Sequence, residues 1–174
     1  MKRTASRAGL AAFAAMAALA GTAAAQDAPA VPAQEEEIML TPGAVPPAAT
    51  GTQWRAFSRS TTSVYLINIG EVVTEGDEVR VKIARINLAT PAGDYSHVID
   101  EFAIRCGAGE SHLITTTEAY EDGEPADSFP ADEPWSRIQA GSFDDGLKRI
   151  SCGEATPNGD PFPSLRAYID AGRP

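Results

Sequence analysis

The sequence predicts an α+β domain: an antiparallel β-sheet of about five or six strands with a C-terminal helix packed on it and one disulfide. Three observations carry this expectation. Between Gly51 and Tyr120, apolar and polar residues alternate with period two in segments rich in β-branched side chains, the pattern of half-buried strands. After Ser142 the period becomes helical, with Phe143, Leu147 and Ile150 at i, i+4 and i+7. The two cysteines, Cys106 and Cys152, fall at the end of one such strand and at the end of that helix.

The amino terminus reads as a signal peptide. Lys2, Arg3 and Arg7 form a basic region, Ala8 to Ala20 is uncharged and apolar, and Ala23-Ala24-Ala25 supplies small residues for cleavage after Ala25. The apolar run is shorter than the roughly 20 residues a bilayer span needs, and Ala dominates it. A periplasmic or secreted protein with no membrane span in its mature form is expected. Residues 26–50 read as a disordered Ala/Pro-rich linker, because Pro29, Pro32, Pro42, Pro46 and Pro47 interrupt Ala and Glu with too little apolar surface to offset ordering. A short helix over Glu35 to Leu40 is the alternative there. What remains, about 120 residues, suffices for one core.

In the predicted domain, residues 51–156, Thr52 to Ser58 is the first strand and Val64 to Ile69 the second, ended by Gly70. A turn at Glu75-Gly76-Asp77 leads into Glu78 to Leu88, where Val79, Val81 and Ile83 alternate with Arg80 and Lys82. The apolar phase then shifts to Ile86 and Leu88, which predicts a bulge near Ala84 or a strand bending away from the core. Val98 to Cys106 follows, with Phe102 and Ile104 on one face, and Gly107-Ala108-Gly109 turns it into a hairpin with Ser111 to Tyr120. Residues 121–134 are acidic and proline-bearing and read as a solvated loop; their spacing does not match a calcium loop. Trp135 and Ile138 are expected to resume the core. Ser142 caps a helix over Phe143 to Cys152, with Asp144 and Asp145 in its first turn, Lys148 and Arg149 in its last, and Gly153 after it. Residues 157–174 form a C-terminal tail, in which Asp160-Pro161 can open a short helix through Ala171 with Leu165, Tyr168 and Ile169 as its apolar face.

An even cysteine count in an exported chain argues for pairing, so Cys106 and Cys152 are expected to form a disulfide. A catalytic thiol is the sharper alternative, but it would need a nearby base together with an electropositive setting, and the sequence does not show that combination. Loss of Lys2, Arg3 and Arg7 from the 14 cations leaves 11 against 24 carboxylates, a net charge of −13. Such a surface disfavours nucleic acid and anionic membranes as partners. His97 and His112 are the only imidazoles, and in the predicted hairpin they lie roughly 20 Å apart, too far to share a metal. No nucleophile elbow, phosphate-cradling glycine loop or zinc-spaced ligand set is present, and no cofactor is expected. A small hydrolase using His97 or His112 is the remaining enzymatic alternative.

One positive feature is a basic strip, Arg55, Arg59, Arg80, Lys82, Arg85 and Arg105, in the first four strands. Arg80, Lys82 and Arg105 are the candidate partner-binding residues; the alternative is cross-strand pairing with Glu71, Glu78 and Glu101. The ordered set Trp54, Val64-Tyr65-Leu66-Ile67-Asn68, Phe102-Ala103-Ile104-Arg105-Cys106, Tyr120 with Gly123, Trp135-Ser136-Arg137-Ile138, Gly141-Ser142 and Cys152 resembles the surface-adhesin protein E-like family of small exported bacterial domains. The likeness spans about residues 53–153. It departs from the family pattern around Val81-Lys82, where an aromatic often stands, and in lacking a lipid-anchored amino terminus. The resemblance implies a sheet with a helix on it, a Cys106–Cys152 disulfide, and attachment to host matrix and plasma proteins such as vitronectin and laminin. The reading is therefore a non-enzymatic binding module for a host matrix or envelope protein; the alternative is a periplasmic envelope component or inhibitor. An uncovered edge strand leaves a homodimer open.

Overall fold

A computed structural model describes the backbone of residues 37–38 and 40–42 and the whole of residues 51–174. The expected signal peptide and most of the expected linker lie outside the described residues. The elements are β1 (Glu37–Ile38), β2 (Leu40–Pro42), β3 (Trp54–Arg59), β4 (Ser63–Asn68), β5 (Val73–Glu75), β6 (Glu78–Asn87), β7 (His97–Arg105), β8 (Glu110–Ala119), β9 (Pro125–Pro130), β10 (Ser136–Arg137), α1 (Phe143–Ser151), β11 (Ala155–Pro157) and α2 (Leu165–Asp170). Among the described residues, one antiparallel sheet runs in the order β1-β3-β4-β6-β7-β8-β10, with β5 beside β6 and β9 beside β8, and β2 pairs with β11 separately. The five long strands are those the period-two pattern predicts, joined as a meander. The linker segment is less free than its composition implies, since β1 pairs with Ser58 and Arg59, and β2 with β11.

The turns follow local chemistry. Ser60 Oγ accepts from the Ser63 amide at 3.0 Å between β3 and β4, and Gly109 adopts φ +65° between β7 and β8. Gly70, after β4, is demanded by packing: a Cβ there would stand 1.7 Å from the Gly51 carbonyl oxygen, so no other residue fits without moving backbone.

The apolar phase shift in β6 is not a bulge. Its pairing with β4 and β7 passes through Ala84 without interruption. Val81 and Ile83 instead face one core while Ala84 and Ile86 face another, because each face of the sheet is covered over a different part of its length. On one face, α1 presses Leu147 and Ile150 onto Phe57, Ile67, Val81, Ile83 and Ile104. On the other, α2 presses Leu165, Tyr168 and Ile169 onto Trp54, Val64, Leu66, Ala84 and Ile86. The bulges stand elsewhere, at Ala56/Ser58, Glu101/Phe102 and Thr117/Ala119. Plain alternation sends Trp54 to one core and Phe57 to the other; the first bulge, by skipping Phe57, resets the parity so that Arg59 stands opposite Val64 on the α2 face, where it reaches the Tyr168 hydroxyl.

α1 forms as its sequence predicts. Ser142 Oγ accepts from the Asp145 amide at 3.2 Å, and Phe143 packs on Phe57 and Tyr65 at ring separations of 5.2 and 4.9 Å. Full burial of Leu147 is worth about 2 kcal/mol on transfer from water. Two expectations are corrected. The 121–134 segment holds β9, an edge strand paired with β8 from Thr115 to Ala119. Trp135 does not rejoin the core; it lies half-buried on the sheet surface, while Ile138 does pack beside the α1 core. The C-terminal helix begins later than Asp160-Pro161, at Leu165, where Ser164 Oγ accepts from the Ala167 amide at 3.1 Å. It docks on the sheet, and Phe162 exchanges two backbone hydrogen bonds with Trp54. Residues beyond 156 thus belong to the same folded body.

Candidate functional site

Because α2 covers only the Ala84–Ile86 end of its face, the other end of that face is open. Strand parity places Arg80 and Lys82 of β6 there, with Glu101, Ala103 and Arg105 of β7. Register then draws a row straight across the sheet: Val73 beside Arg80, Arg80 beside Ala103, Ala103 beside His112, with Trp135 next to His112. Val73 is half exposed, Arg80 and Lys82 are exposed, and Ala103 is buried beneath its larger neighbours.

The candidate residues differ in how they are held. Arg80 Nε meets Glu78 Oε1 at 3.2 Å, within β6 and not across strands as expected, and Arg105 meets Glu110 at 3.4 Å; among the described residues Glu71 and Glu101, the other expected partners, make no ion pair. Both pairs are solvent-exposed and each is worth at most about 1 kcal/mol. Lys82 stands opposite Glu101 in register, yet among the described residues it makes no ion pair. It borders a shallow depression with Glu71, Val73, Glu75 and Arg80. Arg105 is fixed in a further way: its guanidinium lies 3.8 Å over the Trp135 ring, whose other neighbour is His112 at 5.4 Å. The chain brings Trp135 there through β10, which pairs Ser136 with Ser111 and so sets the preceding residue beside His112. Sequence reasoning missed this role for Trp135. The signal was its position one residue before a two-residue strand, too short to be seen as one.

Arg85, grouped with this strip by sequence proximity, points to the opposite face, as its odd position in β6 requires. Arg55 donates to the Pro157 carbonyl at 3.3 Å, and Arg59 to the Arg173 carbonyl at 2.9 Å; both serve structure. His112 pairs with Ala103 and His97 with Ala119, six residues apart along β7 and roughly 20 Å distant. His97 Nδ1 lies 2.7 Å from the Tyr95 carbonyl oxygen, and burial holds its pKa below the usual imidazole value. Among the described residues no group of His, Cys, Asp or Glu is arranged to hold a metal ion, and no helix is long and apolar enough to cross a membrane.

Cys106 and Cys152 are joined, with their Cα atoms 5.9 Å apart. The bond ties the β7–β8 turn, next to Arg105, to the end of α1. No family model, curated protein or solved structure matches this chain.

Proposed function

We propose that this protein is an exported, non-enzymatic binding module that engages a protein partner through the open half-face carrying Arg80, Lys82 and Arg105. The observation that carries this reading is the Arg105–Trp135 stack at one end of a row across the sheet whose other end holds the exposed Arg80 and Val73, with exposed Lys82 beside Arg80 on the same face. Tryptophan and arginine are the residue types that anchor protein interfaces. The ion pairs that hold Arg80 and Arg105 are weak enough to exchange for a partner's carboxylates, and Lys82 has none to give up. A partner with acidic side chains around an apolar contact fits this surface. The disulfide accords with an oxidising compartment such as the periplasm or the extracellular space. A host matrix protein is the partner class that the adhesin-like resemblance favours; an envelope protein is the second.

Affinity capture with residues 26–174 against envelope extract and a panel of matrix proteins tests both. Saturable binding that falls at least tenfold on Arg80→Glu with Lys82→Glu is expected. Binding indifferent to that double reversal, and to Trp135→Ala, would remove this face from the function.

A further inference from the structure

The opposite face, the one that carries α1, is open beyond the end of that helix, and a cleft of about 310 Å³ lies there between the ends of β4, β6, β7 and β8. Its floor is Val98. Arg85 is the register partner of Val98 on one side and Glu118 on the other, so a guanidinium and a carboxylate rise from strands whose backbones are about 10 Å apart. Val98 stands between them. Among the described residues neither charge makes an ion pair or a side-chain hydrogen bond. Most other cations on the sheet are engaged: Arg55 and Arg59 on carbonyls, Arg80 and Arg105 on carboxylates.

The rest of the lining is mostly polar. Ser63 contributes a hydroxyl, and His97 borders the cleft at the start of β7, its side chain assigned by strand alternation to the face opposite Val98. The cleft therefore offers one cation for an anion and one anion for hydrogen-bond donors. Its volume is at the small end of small-molecule sites.

We propose that this cleft binds a small zwitterion of amino-acid to dipeptide size, Arg85 taking its carboxylate and Glu118 its ammonium. An extended dipeptide spans roughly 7 Å, which suits two long side chains leaning toward each other across Val98. The site shares no residue with the face that carries Arg80 and Lys82, and either can exist without the other.

The test is a titration of the isotopically labelled whole chain, followed by backbone amide shifts, with alanyl-alanine, alanine, acetate and ethylammonium as probes. Saturable shifts centred on His97, Val98 and Glu118, with a Kd at or below about 1 mM for alanyl-alanine or alanine, are expected. Whichever of the two binds tighter identifies the preferred size. Arg85→Gln should weaken zwitterion binding at least tenfold. Glu118→Gln should do the same to the zwitterion while leaving acetate unchanged. Both side chains are exposed, so the variants should unfold at the wild-type temperature. No saturation at these amides, shifts indifferent to Arg85→Gln, or acetate binding as tightly as the zwitterions would overturn the proposal.

Discussion

The two helices of this protein do the same job by different means. α1 and α2 each cover half of one sheet face with an apolar stripe, on opposite sides and toward opposite ends. α1 is the longer, is capped and charge-matched at both ends, and is joined covalently to the β7–β8 turn through Cys152. α2 has six residues and no covalent tie. It is held by a set of polar contacts: Arg59 donates to the Tyr168 hydroxyl at 3.3 Å, Tyr168 donates to the Pro174 carbonyl at 2.7 Å, and Arg173 reaches the Thr90 carbonyl at 3.0 Å. Arg166 lies 3.7 Å over the Tyr95 ring, and the Tyr95 hydroxyl donates to Asp170 at 2.9 Å. The difference teaches that a short helix, marginal alone, is held by cross-links from loops where a longer one relies on its own caps, charges and disulfide.

Removing the covalent advantage should have the largest effect. The Cys106–Cys152 loop has a sequence separation of 46, and the Cys106→Ser/Cys152→Ser variant should lose about 4 kcal/mol in urea unfolding on the chain-entropy model. Next come the cores themselves. Leu147, fully buried, should cost about 3 kcal/mol as Leu147→Ala, while Leu165, at 7 % exposure, should cost about 2 kcal/mol as Leu165→Ala. Equal losses would show that the two cores are packed alike. Smaller still are the caps. Ser142→Ala and Ser164→Ala should each lose about 1 kcal/mol, and hydrogen exchange should report the first as fraying in α1 and the second as release of α2 with Arg166 and Tyr168.

The smallest effect is a pH slope from His97. Its folded pKa lies below its unfolded value, so the unfolded chain protonates first as pH falls. Stability should be flat above about pH 6.5 and decline below it until the folded pKa is reached. His97→Gln should flatten that window in thermal unfolding read across pH, and an unchanged slope would assign the effect to other groups.

How much of this was legible in the sequence depended on whether a feature was local. α1 was legible because Ser142, Asp144, Asp145, Lys148 and Arg149 mark both its ends, and Phe143, Leu147 and Ile150 its face. The strands were legible from alternation. What alternation cannot say is which face is covered at which point along a strand, so the change of phase at Ile83–Ala84 read as a bulge or as a strand bending away from the core, when it marks the passage from one core to the other. The actual bulges leave no mark in side-chain type. β9 was missed because Pro125, Asp127 and Pro130 are residues that edge strands use to discourage further pairing, and they read equally as loop. Of the candidate site, the shared face of Arg80, Lys82 and Arg105 was legible from type and parity. Trp135 over Arg105 was not, because 30 positions of chain and a two-residue strand bring it there.

The docking of α2 also constrains when the molecule can become itself. Val64, Leu66, Ala84 and Ile86 are completed by Leu165, Tyr168 and Ile169, and the outer edge of β3 is closed at Trp54 by Phe162. A chain available only as far as α1 can close one core, but it carries a bare apolar sheet face and an open strand edge until residues 162–169 join it. Such a chain should be held by chaperones, and a product truncated before Ile169 should be cleared by proteolysis.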